Sequence, residues 1–213
     1  MCPVVRIEAR GQGAGKTKRQ IAEKGLFVSS KIPRLEFDEL APDLREALRP
    51  RVERLKYLGE FFKVTGHNPT VLLPFIDFTE NLKDVLPKNL TEVGALTVAG
   101  IMNNAYERNQ HERLSEKLGF SRDWIAEVNR LDPDSASQLS EEEKDVQRIA
   151  RTLLDRDWEA TRGIFDRLID SIGHQQALAV LMLVGRYTVH AMTVNTLALD
   201  PPVPSIFDGR NES

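Results

Sequence analysis

The stretch NNAYERNQH, residues 103–111, contains the side chains best suited to chemistry in this sequence. Glu107 and His111 are four residues apart, so on a helix they share one face, one turn from each other, and Asn104 lies on the same face. A carboxylate beside an imidazole orients the ring and raises its pKa, as a general acid or base requires. The same spacing also describes a solvent-exposed ion pair that adds only a few tenths of a kcal/mol to helix stability. Spacing alone leaves both interpretations open.

The sequence contains no recognisable site for a metal or a nucleotide. The Glu107–His111 step could form half of a metal site, but no other histidine or carboxylate completes a known ligand pattern. Cys2 is the only cysteine, which excludes an intrachain disulfide and a cysteine metal cage. The stretch GQGAGKT, residues 11–17, is one residue short of a phosphate-binding loop and has Arg10 where that loop starts with glycine. We therefore predict no metal and no cofactor.

The other histidines and one arginine are weaker candidates. His67 and His174 lie beside predicted helix starts, where surface residues are typical. His190 falls within the most apolar helical segment, which favours a buried core or interface imidazole over a catalytic residue. Arg108 could pair with a substrate carboxylate, although its place next to Glu107 puts it on a different helix face.

Length and composition indicate one globular domain with tails. The 213 residues are 41% hydrophobic and 29% charged, and the net charge of −3 gives no overall attraction to nucleic acid or to an anionic membrane. The longest apolar run, residues 177–185, is too short to span a bilayer. With a single cysteine, the reducing cytoplasm is the expected location.

We divide the chain into a basic, glycine-containing tail at 1–32, a helical domain at 33–203 and a C-terminal tail at 204–213. The first 30 residues contain six Lys or Arg and two Glu, and we predict that the tail is disordered. A basic, acid-poor start is also a weak indication of mitochondrial targeting.

The periodicity of apolar residues predicts an all-α domain of six to eight helices, without strands. Ser140 with Glu143, and Asn89 with Glu92, have the spacing of capping boxes. The last helix is apolar around most of its circumference, which predicts either a central core helix or a subunit interface. The predicted helices cover 42–66 with a kink or split at Pro50, 68–85 with a kink at Pro74, 90–118, 121–129, 141–155, 157–171 and, after Gly173, 175–199.

The run LTEVGALTVAGIMNNAYERNQHERLSEKLGFS, residues 90–121, resembles the carboxymuconolactone decarboxylase family, which includes the alkylhydroperoxidase D-like (AhpD-like) proteins. That family's helical core has a Glu followed by a motif of the form Tyr-Glu-x-x-x-His or Cys-x-x-Cys-x-x-x-His. The flanks at 65–72 and 185–199 look similar too, so the resemblance covers roughly residues 33–203.

The resemblance implies roles for five residues of this chain. Glu92 corresponds to the upstream acid, and we expect it to be catalytic together with Glu107 and His111. Asn104 and Tyr106 are expected to contact the substrate. The resemblance also implies an AhpD-like fold and self-association as a trimer or a higher multiple.

The AhpD-like peroxidases rely on two cysteines that cycle between dithiol and disulfide. The corresponding positions here are Asn104 and Glu107, which can neither donate electrons nor form a sulfenic acid. Cys2 lies outside the motif and has no partner cysteine in the chain. Peroxidase activity is therefore the disfavoured alternative.

The decarboxylase branch offers a reaction that needs no thiol. The resemblance implies a cofactor-independent, carboxy-lyase-like enzyme that decarboxylates a small carboxylated lactone or related acid, with His111 moving the proton and Glu107 assisting. A different class of function stays open, namely a non-catalytic helical oligomer that binds a small ligand or a protein.

Glu92 presents a geometric difficulty. If 90–118 were one straight helix, Glu92 and His111 would be roughly 28 Å apart at about 1.5 Å per residue. Cooperation would then require a helix break, at Gly94 or Gly100, or a second subunit. Alternatively, Glu92 only completes the capping box that starts at Asn89.

Overall fold

The computed structural model describes residues 31–209, and within that range every regular element is a helix. This confirms the prediction of an all-α domain with six to eight helices. The predictions for residues 1–30 and 210–213 lie outside the described residues. A short 3-10 helix at Phe37–Glu39 precedes eight α-helices, which are α1 Pro42–Leu55, α2 Glu60–Thr65, α3 Pro69–Val85, α4 Lys88–Ile101, α5 Ala105–Lys117, α6 Arg122–Arg130, α7 Glu141–Asp155 and α8 Trp158–Thr196.

Several helix boundaries follow the predicted signals. Pro42 and Pro69 occupy the first turns of α1 and α3, where a missing N–H costs nothing. The capping box of Ser140 and Glu143 forms at the start of α7. Gly173 has a φ of 80° and interrupts α8 at the predicted place, because glycine adopts positive φ without steric cost.

The first predicted helix breaks later than its proline suggested. Pro50 lies inside α1, which continues to Leu55. Lys56 then adopts a left-handed conformation with a φ of 66°, and α2 begins at Glu60. The chain therefore splits after α1 and not at the proline.

The predicted helix 90–118 is wrong, because the chain reverses in its middle. Helix α4 ends at Ile101, Asn103 takes a φ of 52°, and α5 starts at Ala105. Asparagine tolerates this left-handed conformation better than most residues. The next residue, Asn104, caps α5 by accepting a hydrogen bond from the Glu107 N–H at 3.2 Å. Two consecutive asparagines therefore form a turn and a cap.

The predicted capping box of Asn89 and Glu92 is also wrong. Helix α4 begins at Lys88 with Pro87 as its N-cap residue, and no side chain caps it. Glu92 lies beyond the first turn and is only 3% exposed. Its carboxylate is thus directed to partners elsewhere in the fold.

Helix α4 is the centre of the larger of two hydrophobic clusters, and it packs against α5, α6, α7 and α8. Val93, Leu96 and Val98 on it are fully buried. The smaller cluster joins α1, α2 and α3 to the end of α8. Tyr187 belongs to the larger cluster and Tyr106 to the smaller one, so the polar residues between these tyrosines lie where the clusters meet.

The segment after α8 crosses α5. The Asn109 side-chain amide donates to the Val203 carbonyl at 2.9 Å, and Arg113 donates to the Pro204 carbonyl at 3.1 Å. The buried Glu112 carboxylate accepts a hydrogen bond from the backbone N–H of Ile206 at 3.2 Å. These bonds hold the segment beside the helix that carries His111.

Helix α8 buries one side and exposes the other within the single chain. An 18-residue window of it is long and apolar enough to cross a membrane on composition alone, and 56% of that window is buried inside the fold, as in a core helix. Leu178, Met182, Val189 and Met192 are each more than half exposed. We call these four residues the apolar stripe.

We expect Gly94→Val to destabilise the fold. A Cβ at Gly94 would come within 2.6 Å of the Leu183 Cδ2 atom where α4 meets α8, and overpacking of this kind typically costs about 1–3 kcal/mol. Gly163→Ala is the control, because a Cβ there meets nothing within 4 Å, and it should stabilise the helix by up to about 1 kcal/mol. Chemical denaturation measures both, and equal effects would contradict the close packing of α4 on α8.

The sequence resemblance implies self-association, and we propose that the apolar stripe lies in the contact between copies of this chain. Met182→Glu should then lower the molar mass measured by light scattering after gel filtration. Trp158→Glu is the control, because Trp158 is 55% exposed but lies at the other end of α8. An unchanged mass for Met182→Glu would exclude the stripe as the contact.

Candidate active site

The chain reversal brings Glu92 and His111 into direct contact. His111 Nδ1 lies 2.7 Å from Glu92 Oε2, and the Ser115 hydroxyl donates to the same oxygen at 3.2 Å. Glu92 is 3% exposed and His111 is 7% exposed. This contact requires a helix break, which lies at 102–104, just beyond Gly100. Glu92 and His111 therefore meet within one chain, without a second subunit.

Glu107 lies on the other side of the His111 ring. Its Oε2 atom is 3.5 Å from His111 Nε2, and its Oε1 atom is 3.1 Å from Arg186 Nη1 and 3.2 Å from His190 Nε2. The Tyr187 hydroxyl is 3.1 Å from His111 Nε2. Because Glu107 is only 7% exposed, the solvent-exposed ion pair that the spacing also allowed does not occur.

Burial and charge act in opposite directions on the acid–base groups. Burial lowers the pKa of His111, but Glu92 and Glu107 outweigh it and raise that pKa to about 9. Burial raises the pKa of Glu107, but the two imidazoles and the Arg186 guanidinium hold it well below its usual range. Burial lowers the pKa of His190 to about 4, although Glu107 opposes this. At pH 7, His111 is an imidazolium, Glu107 a carboxylate and His190 a neutral ring.

Two predicted substrate contacts have structural partners of their own. Asn104 is 2% exposed, and its side-chain oxygen caps α5 through the Glu107 N–H. The Tyr106 hydroxyl accepts a hydrogen bond from the Phe61 N–H at 3.3 Å, and burial raises the pKa of Tyr106. The capping bond of Asn104 fixes the backbone of Glu107, and direct substrate contact by either residue stays a prediction.

Sequence reasoning missed Arg186, Tyr187 and Ser115. Arg186 carried a usable signal, because an arginine inside a very apolar helix requires buried partners. Its Nε donates to the Thr79 hydroxyl at 3.0 Å, and its guanidinium lies 4.2 Å from the Tyr187 ring centroid. His190 is buried, as predicted, and it contacts the acid–base centre. Arg108 is outside the centre and lies 3.8 Å from Glu112.

A cavity of about 370 Å³ opens onto His111, Glu107 and Tyr187. Its wall is strongly cationic, and among the lining residues in the described range 31–209 Glu107 is the one carboxylate. Arg51 and Lys83 are paired with Glu80. The six cationic lining residues are Arg51, Arg54, Lys83, Arg113, Lys117 and Arg186.

Within residues 31–209, no group of three or more His, Cys, Asp or Glu side chains is arranged to hold a metal ion. The side chains around His111 that could ligate a metal instead form hydrogen bonds and ion pairs with neighbouring side chains. This arrangement suits proton transfer between buried groups.

Comparisons with known proteins identify the fold. No protein-family model and no curated protein matches the sequence. A cysteine-to-alanine variant of the debrominase Bmp8, in complex with 2,3,4-tribromopyrrole, has a TM-score of 0.65 and 15% identity over 83% of this chain and 92% of that chain. A peroxidase-related protein from Ralstonia eutropha with an alkylhydroperoxidase AhpD core has a TM-score of 0.65 and 19% identity over 79% and 90% of the two chains.

A third similar structure is an Agrobacterium tumefaciens protein of unknown function that carries the name AhpD. It has a TM-score of 0.59 and 13% identity, and covers 65% of this chain and 95% of that one. This chain therefore has the AhpD-like fold. At these identities the similarity concerns the fold and not the reaction.

We expect Glu92→Gln to lower the pKa of His111 from about 9 towards 6.5, because the opposite charge nearest Nδ1 is removed. An NMR titration of the His111 ring measures this pKa. Glu116→Gln is the control, because Glu116 lies on α5 like His111 but pairs with Arg122. A pKa that stays near 9 in Glu92→Gln would contradict the coupling.

The same coupling makes stability depend on pH. The pKa of His111 is raised in the folded state, so its contribution is complete below about pH 6.5 and is lost as pH rises through about 9. Glu92→Gln should consequently lower the free energy of unfolding more at pH 6 than at pH 10.

Proposed function

We propose that this protein is a cofactor-independent enzyme that decarboxylates a small carboxylated lactone or a related acid by acid–base catalysis. One observation carries the proposal: the buried His111 ring is held between the carboxyl groups of Glu92 and Glu107 at the wall of a cationic cavity. The AhpD-like fold and the sequence resemblance agree with it.

The reaction follows from the orientation of the His111 ring. Glu92 accepts a hydrogen bond from the Nδ1–H group of His111. The Nε2–H group is therefore directed towards Tyr187, Glu107 and the cavity. The bond between the substrate carbon and its carboxylate breaks, CO2 leaves, and the electron pair moves into the conjugated lactone carbonyl. His111 then delivers one proton to carbon, and solvent restores it.

The cationic wall favours an anionic substrate and an anionic intermediate. Cations stabilise the transition state where negative charge grows, which is the lactone oxygen, whereas attraction to the departing carboxylate alone would slow the reaction. Arg54 and Lys117 line the cavity, and neither forms an ion pair with a carboxylate in the described part of the chain. They are available to bind an anionic group of the substrate that is not lost as CO2.

The alternatives differ in what they require. Peroxide reduction of the AhpD type needs a pair of thiols, and positions 104 and 107 are Asn and Glu. A binding module needs the cavity but not the proton of His111. The role of His111 therefore separates an enzyme from a binding module.

The test is turnover of 4-carboxymuconolactone, followed by substrate loss and CO2 release. We expect decarboxylation by the wild type and a loss of about 100-fold or more in His111→Gln. His174→Gln is the control, because His174 is exposed. The wild-type rate should also fall above about pH 9, where His111 loses its proton.

Two outcomes would overturn the proposal. One is equal turnover by the wild type and a folded His111→Gln variant. The other is reduction of an organic hydroperoxide with a dithiol reductant in a parallel assay, because no described residue could support it. Binding of the lactone without any turnover would favour the binding module.

A further inference from the structure

The two carboxylate oxygens of Glu107 have different partners. Oε1 accepts a hydrogen bond from Arg186 at 3.1 Å and lies 3.2 Å from His190 Nε2. Oε2 faces His111 Nε2 at 3.5 Å. One oxygen is thus fixed by α8, and the other faces the proton donor.

His190 is confined by its surroundings. It is 3% exposed, its ring centroid lies 4.2 Å from that of Phe61, and the two rings are tilted by 31°. Tyr106 lies on it at a centroid distance of 5.7 Å. The ring therefore has little freedom to move away from Glu107.

The surroundings of its two ring nitrogens determine the tautomer of His190. Its Nε2 contacts a carboxylate and must carry a proton, whereas its Nδ1 is buried without a hydrogen-bond partner among the described residues. An imidazolium would place a second N–H at Nδ1 with no acceptor, which costs about 1–3 kcal/mol. The geometry thus favours a neutral ring with its proton on Nε2.

Fixed positive charge comes from a different neighbour. Arg186 lies on α8, as His190 does, and faces Glu107. Its side chain is anchored to Thr79 on α3. On α5, His111 is the charged group that faces Glu107. At pH 7 the positive charge that faces Glu107 is on Arg186 and His111, so a neutral His190 contributes direction to the carboxylate and not charge.

We propose that His190 is a positioning residue of the acid–base centre, which acts as a neutral Nε2–H donor that holds Oε1 of Glu107 and leaves Oε2 to His111 and the substrate. The catalytic meaning of this role rests on the proposed function, but the contact between His190 and Glu107 does not. Without His190, only Arg186 would hold Oε1 among the described residues, and the carboxylate could rotate about its terminal torsion, which has a broad energy minimum. Displacements of about 1 Å at such a group are costly for catalysis.

The test compares His190→Leu with His190→Gln. The glutamine amide nitrogen can replace the Nε2–H donor, and leucine cannot. We expect the pKa of the Glu107 carboxyl, measured by carbon-13 NMR titration, to rise in His190→Leu because its anion loses a donor, and to stay near the wild-type value in His190→Gln. If the leucine variant does not fold, His190→Asn replaces it, because the shorter amide does not reach Oε1.

A second measurement needs no variant. Nitrogen-15 NMR of the wild-type ring should show neutral His190 with its proton on Nε2 at pH 7. A charged ring, or a proton on Nδ1, would overturn the proposal. So would an unchanged Glu107 pKa in a folded His190→Leu protein.

Turnover separates this inference from the proposed function. On 4-carboxymuconolactone, His190→Leu should reduce kcat by about 10-fold or more with little change in KM, and move the acidic limb of the pH profile to higher pH. His190→Gln should restore both. NMR shifts as expected without wild-type turnover would reject the decarboxylase and keep the positioning role, whereas turnover without the NMR shifts would reject the positioning role alone.

Discussion

Two buried carboxylates, Glu92 and Glu107, impose the main physical constraint on this structure. A carboxylate removed from water costs several kcal/mol unless cations and hydrogen bonds replace its hydration. His111 lies between the two and serves both, which is possible only if α5 runs back beside α4. The reversal at Asn103 and the cap at Asn104 are therefore requirements of the charge arrangement as well as features of the backbone.

The arrangement lets His111 change its charge without leaving a carboxylate unsupported. When His111 is neutral, Glu107 still has the permanent charge of Arg186 and the contact with His190, and Glu92 still has the Ser115 hydroxyl. Buried ion pairs often contribute little net stability compared with apolar packing. A centre with this much redundancy is better explained by proton transfer at His111 than by stabilisation of the fold.

The sequence was sufficient for the fold class and for the local half of the centre. The 3.6-residue periodicity predicted the helices, and the four-residue step predicted the Glu107–His111 face. It was insufficient wherever tertiary structure decides. Asparagine is tolerated inside helices, so apolar periodicity alone extends one helix through the Asn103–Asn104 turn. That straight helix would separate Glu92 from His111, which it contacts, by roughly 28 Å. Arg186 is 79 residues from Glu107, and no periodicity in one sequence can pair residues so far apart.

The position that Glu107 occupies explains how one fold can carry different reactions. Arg186, His190 and His111 converge there and would stabilise an anion of any chemical kind. A thiolate in that place would have its pKa lowered by the charges of Arg186 and His111 and would be activated for redox chemistry, which is the arrangement that the cysteine motif of AhpD-like peroxidases implies. A carboxylate cannot exchange electrons, and it uses the same surroundings to raise the proton affinity of His111. The helices thus provide an anion site beside a histidine, and in the proposed function the carboxylate at position 107 directs that site to acid–base chemistry.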